Sequence, residues 1–377
     1  MKRFKAILIP AMCACLLTSC WDEHSIQETS YFTAIGIDYL ANKEQFVVEA
    51  TLITLSDVAK TEGSNSKAFP TYVGKGEGES VHLALENIYK STQLLPSLEH
   101  LMTIVVRDRA LPKLGEIMDS MNRSRTVRYN IDIMATSEPI QDVLQSDTFF
   151  NSPMYTFLYR HQIKGPAKPP HPPQSMQTLV REYYDESRTS LLPNLALDRT
   201  SWQHGGKKPN YLYYTGAYTV GAHVKSKYAD ETELKGSRWF YSNPEGSYLV
   251  LRDDRGRMAG VLVVSDNDYR IRFVKRGDRG RFAIELNVEA YINELHVKAD
   301  EEQLRKWATA VIREEVDTTL GASKAKQADL LNLENVIYRS HVRDWKKMKA
   351  SGENFYSLPC DIKVSLRIKN TGKLKLK

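Results

Sequence analysis

The sequence predicts an α/β (α+β mixed) body of two or three domains behind a cleaved signal peptide. Three observations lead there. The chain has 377 residues, more than one ordinary hydrophobic core accommodates. Its 42% apolar and 26% charged residues are ordinary globular composition. Along it, stretches with a two-residue apolar period alternate with stretches of helical period.

The first twenty residues read as a processing signal. Lys2, Arg3 and Lys5 form a positive head, and Ala6 to Leu17 is apolar. That run falls short of the about 20 apolar residues that cross a bilayer. A cationic head, a short apolar stretch and small residues before a break describe a secretory signal over 1–19. The break, Leu17-Thr18-Ser19-Cys20, resembles the bacterial lipobox. Proteins of that class are cut before the cysteine, and diacylglycerol is attached to its sulfur. A thiolate is the nucleophile such a thioether requires. Two acyl chains anchor stably where one binds only reversibly. Cys20 is therefore the expected lipid anchor.

Cysteine usage and charge narrow the function. Cys13 and Cys15 leave with the signal and lipid consumes Cys20, so Cys360 has no partner for a disulfide. Lys2, Arg3 and Lys5 supply half of the formal charge of +6. The small remaining excess argues neither for nucleic acid nor for a strongly basic membrane-binding face.

The elements follow in order. TAIGIDYLANKEQFVVEATLITL (33–55) predicts a hairpin turning at Asp38–Lys43, and residues 56–79, ending in GKGEGE, predict a loop. Ser80 caps a helix over 81–92, with Val81, Leu85 and Ile88 on one side. LMTIVVR (101–107) predicts a buried strand, LPKLGEIMDSM (111–121) a helix, and YNIDIMATS (129–137) another strand. These form a first domain over 20–137. The middle domain, 138–257, starts with one or two helices and carries the stiff run GPAKPPHPP (165–173). Strands at 189–197 and 211–221 follow, with helical character around 225–240. The C-terminal domain, 258–377, opens on a strand meander over 258–295 that turns at GDRG. A long helix follows, capped by Asp300 with Gln303 completing a capping box and ended by Gly321. A second helix near 325–341 and a short one near 343–350 precede the edge strand CDIKVSLRIKN (360–370).

No pattern of catalytic residues stands out. The nine histidines form no HxxxH or HExxH. SDNDYR (265–270) starts like an EF-hand loop, lacks its glycine and later glutamate, and reads as a turn. Arg276-Gly277-Asp278 reads as a plain hairpin turn. Cys360 reads as inert core, and Arg123, Arg125 and Arg128 as a solvated basic loop able to hold an acidic partner or lipid headgroups. No cofactor or metal site is expected.

The order of features resembles the Ger(x)C family, the C-subunit lipoproteins of spore nutrient-germinant receptors. Three stretches carry the likeness. The first is Cys20-Trp21-Asp22 with Ala34-Ile35-Gly36-Ile37-Asp38. The second is GES with its helix and then HLMTIVVRDRALPKLGEIMDSMNRSRTVRYNIDIMAT (100–136). The third is IYRSHVRDWKKMKASGENF with PCDIKVSLRIKNTG (359–372). The resemblance implies three domains, each a β-sheet surrounded by helices. It implies a non-enzymatic subunit on the outer face of the inner spore membrane. Its partners would be a polytopic A subunit and a transporter-like B subunit, in a complex that answers small nutrients by triggering ion and dipicolinate release. The germinant site is associated with the B subunit, so no ligand residues are assigned here. Two other readings compete: a lipoprotein solute-binding module of a transporter, which needs two similar lobes, and an envelope hydrolase.

Overall fold

A computed structural model describes residues 28–53, 72–148, 171, 173–206, 208–241, 244–276 and 279–369. The signal segment, Cys20 and most of GPAKPPHPP lie outside the described residues.

The expected hairpin is present. Strands β1 (Thr29–Leu40) and β2 (Gln45–Ile53) pair antiparallel with Ile37 opposite Val48. The turn sits at residues 41–44, later than the Asp38–Lys43 expectation, with Glu44 in the left-handed region at φ 51°. β1 is buried on both faces through Ile37, as suits a strand covered on both sides.

The end of the expected loop is instead a strand. β3 (Tyr72–Gly78) pairs antiparallel with β2, and α1 (Val81–Tyr89) packs on it. A Cβ on Gly76 would lie 2.1 Å from the Ala84 carbonyl oxygen, and one on Gly78 2.6 Å from the Ala84 nitrogen. The glycines that read as loop residues let helix backbone approach strand backbone. Ser80 caps α1 as expected, its hydroxyl accepting from Leu83 N at 3.2 Å.

β4 (Leu95–Ser97) and β5 (Thr103–Arg107) run parallel to β1. A 3-10 turn over Asp108–Lys113 leads into α2 (Leu114–Arg123), and β6 (Asp132–Thr136) lies parallel to β5. Next come α3 (Ile140–Leu144), β7 (Gln174–Ser175), α4 (Met176–Tyr183), β8 (Ser190–Asp198), β9 (Tyr211–Val220) and β10 (Tyr228–Ala229). Among the described residues these strands form one sheet of order β10-β9-β8-β6-β5-β1-β2-β3, with β4 beside β1 and β7 beside β6. Strands from the segments 20–137 and 138–257 thus share a sheet, with Ala135 opposite Asn194. One face is covered by α1, α2 and α4 through Leu85, Ile117, Met121 and Leu179; the other is covered by α3 through Ile140, Val143 and Leu144.

The second sheet has the order β11 (Tyr248–Arg252), β12 (Met258–Arg276), β13 (Arg279–Leu295), β14 (Cys360–Lys369). A 3-10 turn over Lys235–Ser237 and α5 (Arg238–Tyr241) precede it. SDNDYR is not a turn. It lies inside β12, where a bulge between Val264 and Asp266 absorbs the break in alternation. β14 is the expected edge strand, alternating outward charge with inward apolar residues and running parallel to β13.

α6 (Glu301–Lys326) lies across this sheet, burying Leu304, Ala308, Ile312 and Val316. Its capping box is formed: Asp300 accepts from Gln303 N at 2.8 Å, and the Gln303 side chain accepts from Asp300 N at 3.2 Å. Gly321 does not end it. A Cβ there would meet nothing within 4 Å, and the helix stops at Gln327, with φ 53°. The second helix, α7 (Leu333–Ser340), starts later than the expected 325, and α8 (Val342–Ala350) follows directly.

Candidate functional site: a basic cleft where the two sheets meet

The short link Gln327–Asn332 joins α6 to α7 and docks on the first sheet. Asp329 is buried and caps α7, accepting from Leu333 N at 3.0 Å and Glu334 N at 2.8 Å. Burial pushes its carboxyl up to about 6. With α7 capped by Asp329, the Asn332 side chain reaches the first sheet, and the left-handed backbone of Asn332, φ 51°, is one asparagine tolerates. Its Oδ1 accepts from Thr189 N at 2.8 Å and its Nδ2 donates to Thr189 O at 3.0 Å. One turn on, Asn335 donates to Ser187 Oγ at 2.7 Å, and Lys349 of α8 donates to Glu186 O at 2.8 Å. Asp185 holds Ser187 in place through its N and Oγ.

A second contact lies under α6. Gly236 donates its N–H to Thr319 Oγ1 at 2.9 Å, and a Cβ there would come within 2.4 Å of the Glu315 carbonyl oxygen. Glu315 is paired with Arg238 at 2.9 and 3.1 Å and accepts from Trp239 Nε1 at 3.0 Å. Its carboxyl is raised by burial, opposed by Arg238. His171, in the run GPAKPPHPP, is buried against Ser237, with 2.5 Å between ring nitrogen and hydroxyl.

Between Arg188, β12 and α7 lies a cleft of about 650 Å³, within the range of small-molecule sites. Tyr269 and Phe273 of β12 supply an aromatic wall. The charged liners are Arg188, Arg272 and Arg339, with His341 beside them and no carboxylate. Arg188 is paired with Glu182 at 2.8 Å, and Arg272 with Glu285 at 2.5 Å. Arg339 projects to solvent, and the His341 ring stands edge-on to Phe273 at 5.3 Å. The arrangement can hold an anionic group against an aromatic surface. It does not assemble a nucleophile with a base. His341 Nδ1 lies 2.9 Å from Ser340 Oγ, but that hydroxyl donates to Val336 O at 2.7 Å, and the nearby acid Asp344 is paired with Lys275 at 2.6 Å. Among the described residues no group of three His, Cys, Asp or Glu could hold a metal ion.

The residues singled out in the sequence are placed elsewhere. Cys360 is half-buried at the start of β14, its thiol pushed up to about 11 by burial. A thiol so raised is not a nucleophile at neutral pH. Arg123 is paired with Asp119 at 2.9 Å, while Arg125 and Arg128 are exposed. Sequence reasoning missed Asp329, Asn332 and Asn335. The available signal was the polar interruption in LLNLENVIY, which breaks an apolar helical stripe.

The stretches carrying the resemblance have structural work in this fold. A Cβ on Gly36 would lie 1.9 Å from Ile140 Cγ2, so the glycine admits α3 onto β1. Asp38 takes Arg109 in a two-point pair at 2.7 and 2.5 Å. Trp345 donates to Glu334 at 2.9 Å and has Lys349 over its ring at 4.6 Å.

Residues 22–197 match the family described as spore germination protein N-terminal domain, and residues 223–372 match the spore germination B3/GerAC-like C-terminal domain. The chain belongs to this GerAC family of spore germination proteins. Within the family it is similar to spore germination protein KC of Bacillus subtilis, 21% identical across 95% of this chain and 93% of that protein. Spore germination protein A3 of the same organism is 21% identical over 76% of this chain and 74% of its own length. The fold is similar to the crystal structure of the GerBC protein, with TM-score 0.53 and 14% identity, covering 93% of this chain and all of that one. The GerAC chain is thus a mixed α/β protein of a germinant-receptor family. Among the described residues its two sheets differ in strand number and direction, which does not favour the pair of similar lobes a solute-binding module needs.

Proposed function

We propose that this chain is the lipid-anchored, non-catalytic C subunit of a nutrient germinant receptor and takes part in triggering spore germination. The match to both GerAC family domains, which together span most of the chain, carries the reading. In this reading the sulfur of Cys20 carries diacylglycerol and residues 1–19 are removed. The lipobox supports that, and no helix among the described residues is long and apolar enough to cross a membrane. The body then sits on the outer face of the inner spore membrane beside a polytopic A subunit and a transporter-like B subunit. The relatives named for spore germination support a place in such a complex. The body contributes contact surface rather than turnover.

The test is genetic and direct. Spores lacking the chain are expected to lose dipicolinate release in response to the nutrient of their receptor, and a wild-type copy restores it. Undiminished release across nutrients would defeat the proposal. Recovery of the A and B subunits with the tagged chain from detergent-solubilised membranes tests the partners.

A further inference from the structure

We propose that one end of the first sheet faces the bilayer and that Arg125, Arg128 and Tyr129 there bind anionic lipid headgroups. The inference rests on the Cys20 anchor proposed above. Eight positions separate Cys20 from Glu28, where the described chain begins. At full extension that tether spans roughly 30 Å. The start of β1 is therefore held within roughly 30 Å of the membrane.

Strand direction determines which residues share that surface. β1, β4, β5 and β6 all run parallel and start at the same end. Met102 N donates to Thr33 O, and Asp132 N donates to Met102 O, so Thr33, Met102 and Asp132 lie on one row. Thr29 lies four residues before that row and Tyr129 three residues before it, two strands away, which is about 10 Å. Leu95 pairs directly with Thr29. α2 returns to the same end after β5, bringing in the loop that holds Arg125 and Arg128.

This loop is a fixed platform. Val127 is buried, and the Tyr129 carbonyl accepts from Gln177 N at 3.0 Å. Arg125 and Arg128 are exposed and form no ion pair among the described residues. Tyr129 is 58% exposed and Leu95 48%. Paired cations beside an amphipathic ring and an apolar side chain suit a headgroup layer. The exposed carboxylates Glu28 and Glu99 share this end and balance the two arginines in number, so these groups leave no net cationic excess. The tether offsets that. It makes headgroup contact intramolecular, and each arginine near an anionic surface then contributes about fivefold to the contact equilibrium.

The test is amide hydrogen exchange on the full lipidated chain in two kinds of vesicle. One is phosphatidylcholine alone, the other phosphatidylcholine with phosphatidylglycerol. Residues 124–131 are expected to gain protection only in the second, and to lose it in high salt. Arg125→Glu with Arg128→Glu, both exposed positions, is expected to abolish the gain while the protein stays vesicle-bound. Equal exchange at 124–131 in both vesicles, with the protein bound, overturns the headgroup site and leaves the anchor standing. Failure to remain with neutral vesicles overturns the anchor and this inference with it.

Discussion

Asp329 joins burial, capping and pH response in one side chain. Its ordinary carboxyl value is 3.8 and its folded value is pushed up to about 6 by burial. The native state therefore holds this proton more tightly than the unfolded state. Its effect on stability is most favourable below about pH 4 and is lost as pH rises through about 6, by up to about 3 kcal/mol. Asp344 and Asp253, held low by Lys275 and by bonds from Arg257, slope the other way. Comparison with Asp329→Asn isolates the site, because those groups are common to both proteins. The stability advantage of wild type over the variant, read from urea midpoints, is expected to shrink from pH 4 to pH 6. Parallel curves would refute the assignment. At this scale the caps were legible and the junction was not. Ser80 and Asp300 bond to residues three positions on, so their role is written in local spacing. Asn332 bonds to Thr189, 143 positions away, and no local pattern encodes that partner.

Glycine decides two elements, with opposite consequences. In sequence the β3 stretch reads as a loop because GKGEGE lacks the side chains that mark a strand. The pressure on those positions comes from α1 lying across them, a tertiary fact. Gly76→Ala sets a methyl 2.1 Å from a helix carbonyl and is expected to cost at least about 1–3 kcal/mol. In sequence Gly321 reads as a helix end, since a glycine after an apolar stripe often is one. Within α6 it has open space around it, so Gly321→Ala is expected to stabilise by about 0.5–1 kcal/mol. Thermal unfolding of the two variants measures both, and a stable Gly76→Ala would show that α1 does not bear on β3. The hairpin, α2, β14 and the stretches of β12 and β13 around 271–273 and 282–288 are legible because apolar and polar residues alternate there or follow a helical period without a break. The bulge at Val264–Asp266 interrupts the period in β12, which is why SDNDYR resembled a turn.

At the scale of the molecule, two unlike sheets are joined through a polar seam and, beside it, a buried apolar cluster in which Leu191, Ala217 and Ala229 meet Ala322, Ala328 and Leu330. Asn332, Asn335 and Lys349 on one side meet Thr189, Ser187 and Glu186 on the other. Asn332→Gly keeps the left-handed backbone and removes both bonds to Thr189. It is expected to cost about 1–3 kcal/mol and to speed amide exchange at 187–190 while β12 and β13 stay protected. Uniform loosening of both sheets would argue against a local seam. The sequence separated three strand-and-helix clusters but carried no sign that the first two share a sheet, because the parallel pairing of β6 with β8 spans more than fifty residues. The basic cleft was equally hidden, since its walls come from Arg188, β12 and α7. The proposed anchor is the reverse case, since its signal is local and lies in four residues, Leu17-Thr18-Ser19-Cys20. The measurement that bears most directly on the whole account is nutrient-triggered dipicolinate release from spores carrying Cys20→Ala, with the protein followed by membrane fractionation. Loss of the protein from the membrane fraction together with impaired release is the expected result; normal germination with a fully soluble variant would contradict the proposed anchoring role.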